Sequence, residues 1–257
     1  MVSTRIVSAV VVAMVGVPLV ASAVPFTFAT FTQVNTKQKH FAFVNSGRKL
    51  KRTEDAVLFS TLDRKRSGPV EVKFSFLQSG FHGLVTNVLA KFQYDATIAK
   101  RSPAILSGMS FVQPGLAGTF SFTSENPITI DGISFASGAN LLSGVFSGGS
   151  LAGVLKQTAG TSDTSTTSGG MITFSSAFLD FSNSANFDIG LTLSSLNARF
   201  SLQTNHALGS FRSVIGGQFS SDPAPRLKVA EPANAAVLLG GLAMLGFGMI
   251  RNSARKG

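Results

Sequence analysis

From Val70 to Phe76 the chain alternates: Val70, Val72, Phe74 and Phe76 are apolar, while Glu71, Lys73 and Ser75 are polar. The same period of two places Leu84, Thr86, Val88, Ala90, Phe92 and Tyr94 on one side. Val85, Asn87, Leu89, Lys91, Gln93 and Asp95 fall on the other. It returns at Phe120 and Phe122, at Ile189, Leu191 and Leu193, and at Ala198, Phe200 and Leu202. Such alternation sends successive side chains to opposite faces of a strand, one buried and one wet. Turn-forming clusters such as Gly80, Gly83, Ser124-Glu125-Asn126-Pro127 and Asp131-Gly132 punctuate the runs. Many short strands at this spacing predict an all-β fold, an antiparallel β-sandwich-like domain. Gln157–Gly170, QTAGTSDTSTTSGG, reads as a long flexible hairpin loop by composition.

Two stretches break the pattern by being apolar throughout. Ile6–Val20 follows Arg5, the one charge ahead of Lys37, and leads to Ala21-Ser22-Ala23 and Val24. A charged start, a short apolar run and small residues at a cut are the marks of a secretory signal peptide over 1–23. At the other end Ala235–Ile250 holds sixteen residues without a charge, between Glu231-Pro232 and the cations Arg251, Arg255 and Lys256. As a helix it rises roughly 24 Å, short of the roughly 30 Å hydrocarbon core. The basic residues behind it belong on the cytoplasmic side, which leaves the β domain of 24–226 outside, in agreement with the N-terminal signal.

Composition sharpens this picture. The 257-residue chain has 23 Phe, one Tyr and no Trp, which fits inward Phe and outward hydroxyls. It argues against an outer-membrane barrel, whose girdles are Tyr and Trp and whose exterior is apolar. No cysteine is present, so neither disulfides nor thiol chemistry enters. Residues 24–230 hold 18 of the Lys and Arg and 11 of the Asp and Glu, a net charge of about +7. That field attracts anionic polymers.

The 227–257 ending resembles the PEP-CTERM sorting signal of Gram-negative bacteria, which joins a Pro-Glu-Pro motif, a transmembrane-like segment and a short basic tail. Ala230, Glu231 and Pro232 stand at the motif, 235–250 at the segment, and Arg251, Arg255 and Lys256 at the tail. Ala230 replaces the usual first Pro, and Asn252-Ser253-Ala254 interrupts the tail. The resemblance implies a partner, an exosortase-type sorting peptidase. It also implies transient residence in the inner membrane through 235–250, then transfer to the cell surface or the exopolysaccharide matrix. It implies no activity for the β domain.

Catalytic chemistry finds little local support. Gly148-Gly149-Ser150-Leu151-Ala152 lacks the second glycine of a nucleophile elbow. His40, His82 and His206 have no metal-ligand spacing, and phosphate and calcium loops are absent. The expectation is no catalytic residue, no cofactor and no metal. Asp180 within Phe178-Leu179-Asp180-Phe181-Ser182 reads as a turn carboxylate. The basic stretch offers candidate contacts with anionic polymer: Arg48, Lys49, Lys51 and Arg52, then Arg64, Lys65 and Arg66, separated by a strand at Ala56–Phe59. Export disfavours nucleic acid as the partner. The readings are therefore a non-enzymatic surface or matrix protein, a carbohydrate-binding or adhesion module for acidic polysaccharide, and a secreted hydrolase with convergent carboxylates.

Overall fold

The computed structural model describes residues 25–45, 56–62, 67–78, 85–98, 102–130, 133–203 and 206–228. Outside them lie the expected signal peptide with Ala21, Ala23 and Val24, and the sorting segment with Ala230, Glu231, Pro232, Arg251, Arg255 and Lys256. Arg48, Lys49, Lys51, Arg52, Arg64, Lys65 and Arg66 lie outside them too.

The described chain is all-β, and its strands pair antiparallel. They are β1 (Phe26–Gln33), β2 (Phe41–Val44), β3 (Ala56–Ser60), β4 (Val70–Phe76), β5 (Val88–Ile98), β6 (Ile105–Ser107), β7 (Ser110–Ser124) and β8 (Ile128–Ile130). Then follow β9 (Ile133–Phe135), β10 (Asn140–Val154), β11 (Gly160–Ser165), β12 (Met171–Ser175), β13 (Leu179–Asp180), β14 (Ala185–Ser194), β15 (Phe211–Asp222) and β16 (Arg226–Leu227). Pairing runs β1–β4–β5–β7–β10–β11–β14–β15 and returns to β1. The long strands serve two partners on one edge. β5 pairs β4 through Val88–Phe92 and β3 through Asp95–Ile98. β15 pairs β2 through Phe211–Ser213 and β1 through Gly216–Ser221.

The closed pairing makes the ring a barrel, and side chains from opposite strands meet across its interior. Phe31 of β1 lies 4.9 Å from Phe122 of β7, and Phe120 lies 5.0 Å from Phe219 of β15. Ring pairs continue through Phe92, Phe74 and Phe76, so the enclosed space is a packed core. Burying a Phe side chain stabilises by about 2–3 kcal/mol, and offset or edge-on ring pairs add to this. Outward positions carry Lys91, Gln93, Thr119, Thr161, Thr192 and Gln218, all exposed. At these positions polar side chains outside and apolar ones inside invert the arrangement of a membrane barrel, while Ile105, Val112, Val145 and Met171 on β6, β7, β10 and β12 are exposed apolar residues.

The alternation is borne out in β4, β7, β14 and most of β5, where Phe92, Tyr94, Ala96 and Ile98 point inward. Its start in β5 is corrected. The strand begins at Val88, because Asn87 takes a left-handed φ of 54° that breaks the phase. Val85, not Val88, is fully buried ahead of that break. The strand expected at Ala198–Leu202 is also absent. Phe200 is buried against Phe111 at 4.9 Å, while Leu202 makes a single bridge to Leu208. One large anchor in an irregular segment imitates alternation.

The low-complexity segment is the largest correction. Gly160–Ser165 is a strand inside the ring, paired with β10 and β14. Ser162 and Thr164 face inward and are 3% exposed. Small hydroxyl residues fit where large side chains from other strands fill the space.

Candidate functional site

The first and last long strands pair with Phe26 opposite Ser221 and Thr32 opposite Gly216. The two ends of the described chain therefore leave from one pole of the barrel. Lys228 is fixed there, its backbone N–H donating to Phe178 O at 2.9 Å and its Nζ to Ser176 O at 2.6 Å. The end of β1 and the start of β15 form the opposite pole, about 30 Å away along a strand of this length.

At that far pole a groove of about 610 Å³ runs beside β2. Phe41 and Phe43 point inward, Phe43 stacking on Phe211 at 5.4 Å, so Ala42 and its ladder partner Arg212 face outward. Among the described residues Lys37, Lys39, His40, Asn197, Ser210 and Arg212 line the groove, and no described Asp or Glu does. Lys37 is exposed, and Lys39 and Arg212 are half-buried.

The walls are braced. Gln33 is 4% exposed, and its Nε2 donates to Asn35 O and Gln38 O, both at 2.6 Å. Its Oε1 accepts from Ile215 N at 3.4 Å. Asn35 Oδ1 accepts the N–H of Lys37 at 3.1 Å, as an Asx turn does. On the far wall Asn197 Oδ1 accepts the N–H of Arg212 at 2.6 Å. Ser210 Oγ accepts from Asn45 N at 2.8 Å. His40 Nδ1 bonds Thr61 O at 3.1 Å, which fixes the ring.

Lys37 and Lys39 begin the basic stretch, yet sequence spacing gives Arg212 no connection to them. The β2–β15 pairing makes it. Val44, which precedes the segment of Arg48 to Arg52, and Leu62, which precedes that of Arg64 to Arg66, also line the groove. Described residues carry nine cations (Lys37, Lys39, Lys73, Lys91, Lys156, Arg199, Arg212, Arg226, Lys228) against seven anions (Glu71, Asp95, Glu125, Asp163, Asp180, Asp188, Asp222). Three of those nine cations meet in this groove.

A second arrangement joins carboxylates the sequence left apart. Asp163 in β11 and Asp188 in β14 share a hydrogen bond on the outer face, as diagonal neighbours two residues apart in register. Burial first, then the Asp163 charge and their shared bond, push the Asp188 carboxyl up to about 6. Direct contact leaves no room for a sugar ring between them, where a glycosidase pair stands at least about 5 Å apart. Asp163 borders a shallow groove floored by Gly190, Gly216 and Thr192.

Other candidates resolve simply. Asp180 holds its own turn: Ser182 N donates to Oδ1 at 3.0 Å and Ser182 Oγ to Oδ2 at 2.9 Å. Those bonds lower its pKa, helped by Lys228 and Arg226. Ser150 lies within strand β10, not at an elbow. His206 is exposed, and His82 lies outside the described residues. Among the described residues no three His, Cys, Asp or Glu side chains group as metal ligands do. No family model matches the chain, and neither a curated protein nor a solved structure matches it.

Proposed function

We propose that the chain is an exported, non-enzymatic protein of the cell surface or exopolysaccharide matrix, addressed by its C-terminal segment. The observation that carries this reading is that both ends of the described chain, Phe26 in β1 and Ser221 in β15, lie at one pole of the barrel. A segment holding that pole at a membrane leaves the other pole free. The apolar 235–250 run and the tail of Arg251, Arg255 and Lys256 supply the hold, and Ala230-Glu231-Pro232 the site for an exosortase-type peptidase. The test is the intact mass of the protein from its own host, beside a strain lacking the sorting peptidase. Loss of both ends, with the C-terminus restored in the deletion strain, supports the reading. Retention of residues 233–257 in both strains refutes sorting and leaves a tail anchor. Replacing Arg251, Arg255 and Lys256 by Ser should disturb processing.

A second reading, adhesion to acidic polysaccharide, is favoured by the groove at the far pole, which Lys37, Lys39 and Arg212 line. Arg48, Lys49, Lys51, Arg52, Arg64, Lys65 and Arg66 are further candidate contacts. Replacing the first four by Gln should weaken retention on anionic polysaccharide and leave thermal unfolding nearly unchanged. Unchanged retention removes them from the account.

A further inference from the structure

We propose that the β6–β7 hairpin docks the barrel on an anionic phospholipid bilayer, its apolar tip entering the headgroup layer while Lys156 and Arg199 meet the phosphates. The proposal goes beyond the sorting reading and does not draw on the C-terminal segment.

The hairpin is built to present its side chains. Ser107 pairs with Ser110 across a two-residue turn, and Gly108 takes the φ of 61° that such a turn needs at its first central position. Met109 stands at the tip and is 50% exposed. Behind it two ladder rows cross from β6 through β7 to β10, Ile105–Val112–Ala152 and Ser107–Ser110–Val154. Phe111, between Ser110 and Val112, is buried, so both rows face outward. Ile105 is 64% exposed, and Leu106, Val112 and Val154 are exposed as well. Five large apolar side chains thus meet solvent on one corner. Scattered singly they would need no explanation, whereas gathered they mark a contact surface.

Backbone bonding sets cations at the rim of this corner. Leu155 N donates to Met109 O at 2.8 Å, which brings Lys156 up beside the tip. Lys156 N donates to Phe200 O at 2.9 Å and Phe200 N to Gln157 O at 3.0 Å, so Arg199 stands next to Lys156. Both side chains are exposed. Phe200 packs on Phe111 at 4.9 Å and on Phe211 at 5.1 Å. The hairpin therefore belongs to the far pole, away from Phe26 and Ser221.

Shape and charge choose the occupant. Apolar side chains ringed by cations complement a lipid surface of negative charge, where each cation adds attraction and the apolar groups reach the acyl boundary. A turn tip is convex, and a fluid bilayer conforms to it where a folded partner needs a matching hollow. A second copy docked by two-fold symmetry would set one set of rim cations against another. A polysaccharide offers no apolar phase to Ile105 and Met109.

The chain has no cysteine, so Met109→Cys carries a single bimane label at the tip. Gln218→Cys carries one on the opposite wall, where Phe219 packs against Phe120 across the core. The label reads contact at its own position, so contact made by 235–250 is not counted. With phosphatidylcholine–phosphatidylglycerol vesicles, emission at position 109 should shift to the blue and be quenched by nitroxide-bearing lipid. Position 218 should not respond. Phosphatidylcholine alone should need at least about tenfold more lipid for half the shift. In the Met109→Cys background, Lys156→Gln/Arg199→Gln should raise the half-point about fivefold or more with the unfolding temperature kept. Ile105→Ser should raise it about threefold or more at unchanged charge. No shift at position 109, an equal response at position 218, or equal half-points with and without phosphatidylglycerol overturns the proposal. So does a blue shift that grows with protein concentration in the absence of lipid, which assigns the corner to a second copy.

Discussion

The hydroxyl of Tyr94 is hydrogen-bonded to Ser162 inside the barrel, and Ser162 Oγ donates onward to Ser150 O at 2.9 Å. The relay ties β5 to β11 across the core. The two ends of the Tyr94–Ser162 bond are unequal. Tyr94→Phe leaves Ser162 still bonded to Ser150, so the loss should be about 1 kcal/mol. Ser162→Ala strands a fully buried phenol, which costs about 1–3 kcal/mol. Urea unfolding should therefore rank Ser162→Ala as the worse variant, with the double variant less destabilised than the sum of the two. The reverse order would show that the phenol has another partner.

Tyr94 also offers a direct optical test. It is the only tyrosine, and no tryptophan obscures it. Burial drives its pKa well above the ordinary phenol value, only partly offset by the bond to Ser162. Phenolate absorbance should stay flat as pH rises through the normal tyrosine range and then appear together with loss of the β-sheet signal. A smooth titration near pH 10 with the fold intact would place Tyr94 in contact with water.

Gly118 faces inward beside Ala96, at the crossing of β5 and β7. A Cβ there would stand 2.1 Å from Asp95 O and 2.6 Å from Ala96 Cα. Both obstacles are backbone and cannot swing aside, so the two strands would have to part. Gly118→Ala should cost about 3 kcal/mol or more, read as a lower urea midpoint. A cost under about 1 kcal/mol would mean that the ladder is looser than drawn.

How much of this was legible in the sequence depends on whether local pattern or distant partners decide a position. Val72, Phe74, Phe92 and Phe122 declared the core because alternation is a local consequence of strand geometry. Ser162 and Thr164 did not, since their burial follows from the size of Tyr94 and its neighbours on other strands. Arg212 is silent for a like reason. Its link to Lys37 and Lys39 exists only through the pairing of Arg212 with Ala42. Asp163 and Asp188 meet through the β11–β14 register, which sequence spacing does not contain. The basic groove was half readable, from the run of Lys37 and Lys39.

The Asp163–Asp188 pair sets a pH dependence. Asp188 Oδ1 is buried without a hydrogen-bond partner, so the protonated form is favoured in the fold. Its folded pKa of about 6 exceeds the unfolded value of 3.8. The folded state thus binds the extra proton between those limits, and stability falls as pH rises through that window. Asp188 is half-exposed, so the effect should stay below about 1 kcal/mol. Asp188→Asn can still donate to Asp163 while carrying no charge. Its unfolding temperature should exceed the parent's by about 2 °C at pH 7 and match it at pH 4. Equal differences at both pH values would assign the effect to packing instead.

Gln33 is the brace by which the core reaches the groove. It spends every polar atom of its side chain, two N–H bonds into the Asn35–Gln38 turn and one acceptor for Ile215 N. Gln33→Leu keeps approximate size but leaves the buried Ile215 N–H unpaired, a loss of about 2 kcal/mol. Released from the brace, the turn should lose its fixed form, and the Lys37 amide, now bonded to Asn35 Oδ1, should exchange faster with solvent. Gln33→Glu separates stability from charge. It keeps the acceptor for Ile215 but loses both donors and adds an anion beneath Lys37 and Lys39. Its amide exchange at Lys37 should rise as in Gln33→Leu, with β1–β15 pairing better preserved. If Lys37 exchange is unchanged in both variants, the turn holds itself and Gln33 serves only the core.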